Sequence, residues 1–173
     1  MFNLDCNDKF VLENIRRLLI QKNFPLAKTT KKIFATISFK PNKNTLSILF
    51  DNKVEQYTLP VSFNLIINSL INNLSDININ YQSLDFFPFM QMIKLKNNQI
   101  KLRNNHSLIL YQLILNKKEG IHKNELYRLI WPNDFEIQIN KLDTHLTNLK
   151  NFLKNEIGFD LSYSSTDGLI KLN

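Results

Sequence analysis

The stretch Ile139-Asn-Lys-Leu-Asp-Thr-His-Leu-Thr-Asn-Leu-Lys-Asn-Phe-Leu153 decides the fold. Ile139, Leu142, Leu146, Leu149 and Leu153 follow one another at spacings of 3, 4, 3 and 4, the repeat of one helix face turned to a core. This predicts a helix over about 138–154. The opposite arc holds Asn140, Lys141, Thr144, Thr147, Asn148 and Asn151. Asn can pair bidentately with adenine N6 and N7, Lys can donate to guanine or phosphate, and a Thr methyl can touch that of thymine. An ordinary solvated helix face has the same polarity, so periodicity alone leaves both readings open.

Upstream, Leu108, Leu110, Tyr111, Leu113, Ile114 and Leu115 predict a helix over about 105–116, broken at Lys117-Lys-Glu-Gly-Ile121. A short helix over about 123–130 ends at Trp131-Pro132. Met90–Lys96 and Gln99–Arg103 read as short strands around an Asn97-Asn98 turn. Leu161–Ser164 and Leu169–Leu172 flank Ser165-Thr-Asp-Gly168 and read as a hairpin. The fold class is therefore α+β: a C-terminal winged helix-turn-helix with short N-terminal strands, three helices and a β-hairpin wing, preceded by a small α+β module. In such a fold the third helix keeps one face free, and a major groove accepts a helix.

Before it, residues 9–22 are periodic, with Phe10, Leu12, Ile15, Leu18 and Leu19 on one stripe and Asp8 as N-cap. Asn23-Phe-Pro25 ends that helix. Residues 33–39, 45–50 and 54–59 read as a meander with a turn at Pro41-Asn-Lys-Asn44. Residues 61–74 form a second amphipathic helix with Phe63, Ile66, Ile67, Leu70 and Leu74 on one side, part of which could serve as a dimer interface. The polar stretch Ser75–Ser83 reads as a linker. The expected domains are thus 1–83, a small α+β module that could serve for dimerisation, and 89–173, the winged helix for DNA.

Composition narrows the function. The 173 residues carry a net charge of +7, a mild footprint for a polyanion. The single cysteine, Cys6, excludes an intrachain disulfide and a multi-cysteine metal site and suits a reducing cytoplasm. His106, His122 and His145 have no evident nucleophile partner, and there is no Gly-rich phosphate loop. No enzyme, cofactor or metal is expected. No apolar run approaches a membrane span, so the expected location is the cytoplasm, with the nucleoid.

Leu142-Asp-Thr-His-Leu-Thr-Asn-Leu-Lys-Asn-Phe-Leu153 resembles the recognition helix of the OmpR/PhoB class of bacterial response-regulator output domains. Lys123-Asn-Glu-Leu-Tyr-Arg-Leu-Ile-Trp131 is similar to the segment before it, Leu108-Ile-Leu-Tyr-Gln-Leu-Ile-Leu115 to the first helix, and Gly168-Leu-Ile-Lys-Leu172 to the final wing strand. The resemblance covers about residues 90–173. It departs at Asn140 and Asn148, where the family has arginines, at Ser164-Ser-Thr-Asp167, where the wing arginine is missing, and at Leu169, where the family has Tyr. His145 fits the family's His and reads as a partly buried packing residue, and Trp131 reads as core.

The resemblance implies a transcriptional regulator that binds double-stranded DNA. Asn140, Lys141, Thr144 and Asn148 would read bases, and Lys101, Lys117, Lys123, Thr147, Lys150, Lys154 and Lys171 would meet the backbone. It also implies a contact with RNA polymerase through the loop Pro132–Ile137, and a homodimer is expected because two copies raise specificity. The receiver domain of that family needs roughly 120 residues, more than the first half holds, so residues 1–83 would be a truncated or degenerate receiver relic or an unrelated small α+β module. Leu46-Ser-Ile-Leu-Phe-Asp51 mimics its strand-plus-Asp pattern, but Leu59-Pro60 follows only eight residues later, so Asp51 is not expected to be a phosphoacceptor. The alternative is a winged helix that has lost DNA reading and binds protein.

Overall fold

A computed structural model describes residues 2–21 and 34–173. The chain divides into two compact units, Met1–Asp76 and Ile77–Asn173.

In the first unit, strand β1 (Phe2–Asp5) leads into helix α1 (Lys9–Gln21). Asp8 caps it as the sequence suggests: its carboxylate accepts from the backbone N–H of Phe10 at 2.9 Å and of Val11 at 3.1 Å. The stop at Asn23-Phe-Pro25 lies outside the described residues, as do the side chain of Leu18 and the start of the strand expected from 33. Strands β2 (Ala35–Lys40), β3 (Thr45–Leu49) and β4 (Val54–Thr58) follow, then helix α2 (Phe63–Leu74). The sheet runs β1-β2-β3-β4, with β1 parallel to β2 and the other pairs antiparallel. It is not the parallel sheet of a receiver. Asp51 stands exposed in the β3–β4 hairpin connection, not at a strand end feeding a helix.

Ile15, Leu19, Ile37, Leu46, Ile48, Ile66 and Leu70 form the core of this unit. Phe10 departs from its expected place, being 78% exposed, and Phe63, on the stripe read as part core and part interface, is 49% exposed. Both sit in the first turn of their helices and rim an apolar cleft of about 470 Å³, lined also by Ile15, Leu46, Leu59 and Ile66. Nearby, Glu55 ties β4 to α2. Its carboxylate pairs with Lys53 at 2.5 Å and accepts from Ser69, Tyr57 and Asn73.

In the second unit, β5 (Ile79–Tyr81), β6 (Leu84–Phe87), β7 (Met92–Leu95) and β8 (Asn98–Lys101) form an antiparallel meander. The stretch Ser75–Ser83 is therefore not a linker throughout, because β5 lies within it and pairs with β6. The β7–β8 turn falls on Lys96-Asn97, one residue earlier than expected, with Lys96 at φ 54°. Helix α3 (Asn104–Leu115), strand β9 (Ile121–His122), helix α4 (Lys123–Ile130), helix α5 (Ile139–Ile157) and the hairpin β10 (Tyr163–Thr166) and β11 (Leu169–Leu172) complete the unit.

The order three helices then hairpin is a winged helix-turn-helix. Strand β11 pairs with both β10 and β9. Gly120 makes the β9 join possible. At φ +83° a side chain is strained, and a Cβ would stand 2.9 Å from the carbonyl oxygen of Ile170. Ile109, Tyr111, Leu126, Tyr127, Leu142, Leu146 and Leu149 fill the core where the helices meet. No helix among the described residues is long and apolar enough to cross a membrane.

Candidate nucleic-acid interface

The leucine spacing sets the orientation of α5. Leu142, Leu146, Leu149, Leu153 and Ile157 are buried, and Ile139 is half-buried at the start of the stripe. The helix ends at Gly158 in the left-handed region, where the N–H of Gly158 and of Phe159 donate to the carbonyls of Lys154 and Leu153 at 3.1 Å each. With the stripe fixed inward, Asn140, Thr144, Thr147, Asn148 and Asn151 are all exposed on the opposite arc. Thr144 donates its hydroxyl to the carbonyl of Asn140 at 2.8 Å.

Lys141 differs from them in its surroundings. It is half-buried, its ammonium donates to Asp134 at 2.7 Å, and it lies 4.4 Å above the ring of Trp131. An ammonium so committed braces the turn before α5 more than it serves the outer arc. Asp134 is the node of that turn. Tyr127 and Lys141 donate to its carboxylate, and Arg128 donates to its carbonyl at 2.6 Å and to that of Phe135 at 3.4 Å. The hydrogen bond from Lys141, then that from Tyr127, holds the Asp134 carboxyl below its ordinary range, and the same bond raises Lys141. The braced loop leaves Phe135 98% exposed.

Trp131 is half-buried rather than core, packed 4.8 Å from Tyr127 and 5.1 Å from His145 between ring centroids. His145 is the half-buried packing residue expected, 5.9 Å from His106.

The cations expected at the backbone divide into two groups. Lys101, Lys117, Lys154 and Lys171 are exposed and make no ion pair among the described residues. Lys123 is paired with Asp143 at 2.7 Å and only 20% exposed, and Lys150 lies 3.9 Å from Asp160. The ion pair draws Lys123 onto α5, so it is the least available of the set. The wing turns at Asp167-Gly168, both with positive φ as a two-residue hairpin loop requires, and its exposed Ser164, Ser165 and Thr166 carry no charge.

Sequence reasoning passed over the start of α3. Arg103, Asn104, Asn105 and His106 line a pocket of about 380 Å³ together with His145 and Asn148 of α5. His106 is buried, and the Nδ1 atoms of His106 and His145 have no hydrogen-bond partner. Burial, then the neighbouring His145 and Arg103, lowers the pKa of His106; burial, then Lys141, lowers that of His145. The run Arg103-Asn-Asn-His106 at a helix start was the available signal.

Residues 97–163 match the family model described as transcriptional regulatory protein, C terminal, a family of regulators and not of enzymes. No curated protein matches the chain. Among solved structures, the DNA-binding domain of CpxR from E. coli is 15% identical, with 56% of this chain and 96% of that chain covered and a TM-score of 0.47. The DNA-binding domain of the response regulator AdeR, in complex with an intercistronic region, is 16% identical, with 54% and 97% covered and a TM-score of 0.46. A streptococcal redox sensor, of a family evolved from two-component response regulators, is 12% identical, with 99% and 66% covered and a TM-score of 0.47.

Proposed function

We propose that this chain, whose residues 97–163 match the family model described as transcriptional regulatory protein, C terminal, binds double-stranded DNA sequence-specifically and regulates transcription without receiver phosphorylation. The observation that carries this reading is the exposed arc of Asn140, Thr144, Thr147 and Asn148 opposite a fully buried leucine stripe. A helix so held can enter a major groove without disturbing the core. Asn140, Thr144 and Asn148 meet base edges, while Lys141 sets the approach of the preceding loop. Thr147 and the exposed Lys101, Lys117, Lys154 and Lys171 meet phosphates, with Lys150 and Lys123 contributing less because each faces a carboxylate.

Phosphorylation independence is supported by the place of Asp51 in a hairpin connection of a largely antiparallel sheet. The exposed Phe135 on its braced loop suits a contact with RNA polymerase, and the apolar cleft rimmed by Phe10 and Phe63 suits a homodimer. The protein so read works in the cytoplasm, at the nucleoid.

Titration of the full chain with duplex DNA in rising salt tests the reading. Log affinity should fall by about 0.9 per phosphate neutralised for each tenfold rise in salt. Asp51→Asn should leave the titration unchanged. A flat salt response would favour a protein-binding winged helix instead.

A further inference from the structure

Helix α3 begins without a side-chain cap, and its first turn holds no acidic residue. Its leading N–H groups therefore have no intrahelical acceptor, and the dipole of a twelve-residue helix favours negative charge there. Arg103 adds a cation at the N-cap, and no carboxylate lines the pocket in front of it. A second observation points to the same space. His106, in the first turn, is only 6% exposed, forms part of the pocket wall, and keeps an Nδ1 with no hydrogen-bond partner. His145, across the pocket on α5, does the same. Buried polar atoms are normally bonded, so two orphaned imidazole nitrogens around one pocket mark a place built for something else. Asn148 belongs both to this pocket and to the exposed arc of α5, so whatever meets that arc lies at the pocket mouth.

We infer that the pocket at the start of α3 seats one backbone phosphate of the duplex whose groove α5 enters, held by the first amides of α3, by Arg103 and by the imidazole-lined wall. The inference rests on the DNA-binding reading above and adds to it a fixed anchor that sets the register of α5 along the groove. Phosphate contacts of this kind position a protein without reading sequence.

The test uses the full chain and a duplex of random sequence. Asn105→Asp places a carboxylate in the first turn, where it favours the helix and repels a phosphate. Its melting temperature should hold or rise, while affinity falls several-fold and the salt slope shrinks by about 1. Arg103→Gln should weaken affinity in the same sense. If the wild type binds and both variants bind as it does with an unchanged slope, the phosphate seat is overturned while the DNA-binding reading stands. If the wild type binds no duplex, both fall. In a separate arm, inorganic phosphate is added at constant ionic strength without DNA, and the His106 and His145 ring signals are followed by NMR. No saturation is expected; saturation would assign the pocket to a free anion and overturn the duplex as its ligand.

Discussion

Asp134 governs the entry into α5 through one side chain and one carbonyl, which gather Tyr127, Lys141 and Arg128. Asp134→Ala should therefore release Lys141 and speed amide exchange over residues 134–137, with the rest of the unit unaffected. The sign with pH follows from the lowered carboxyl. Its stabilisation is complete above the ordinary carboxylate range and is lost as pH falls through the lowered value, so wild type and variant should converge in acid. Glu55 in the first unit behaves alike, with its carboxyl pulled down to about 2 by Lys53, then Ser69 and Tyr57. Glu55→Gln should cost about 1–3 kcal/mol at neutral pH, measured by denaturant melts, and the difference should shrink from about pH 4.5 downward. The histidines of the second unit act at higher pH. Burial lowers the pKa of both, so the stability they contribute is complete above the ordinary imidazole value of about 6.5 and declines as pH falls below it. The 3.6-residue period put Lys141 on the outer arc, where it is half-buried while its neighbours there are exposed. Only the fold brings it to Asp134, seven residues earlier and across a turn, which is why its brace was not legible.

At the scale of elements, the leucine stripe of α5 was readable because a long amphipathic helix states its burial pattern locally. Leu146, 1% exposed in the middle of that stripe, gives the corresponding test. Leu146→Ala should destabilise the second unit by about 2–5 kcal/mol in chemical denaturation, because the cavity it leaves cannot fully collapse. The short strands were hidden for the opposite reason. Strand β1 has four residues, and its partner Ala35–Ser38 lies some thirty residues on, so nothing nearby announces the pairing. Strand β5 sits in an Asn-rich run where only Tyr81 is buried, and its turn to β6 uses Gln82 at φ 52°, a position sequence rules assign to Gly or Asn. The two-residue β9 exists only because Gly120 lets the chain close on β11. The three helices of the winged helix and its wing were legible; the meander before them was only half so, through β7 and β8.

For the whole molecule, the two units divide the proposed work. The second holds the polar arc, the braced loop and the phosphate seat. The first offers exposed Phe10 and Phe63 at a cleft; both fall on apolar stripes, which states hydrophobicity but not which end of the stripe is covered. Phe10 occupies the outer end of its stripe, where no element among the described residues covers it, and its exposure favours self-association. Phe10→Glu should turn a dimer into a monomer in sedimentation, at unchanged folded content by circular dichroism. An unchanged oligomeric state would remove the first unit from assembly. The central claim concerns α5 and is tested most directly by comparing binding to a duplex selected from genomic fragments with binding to random duplex, for the wild type, Asn148→Ala and Thr144→Ala. Each variant should lose about 1–3 kcal/mol on the selected site and much less on random DNA, with melting curves unchanged. A specific-to-random ratio that stays the same in both variants, with the fold intact, would contradict base reading by this helix.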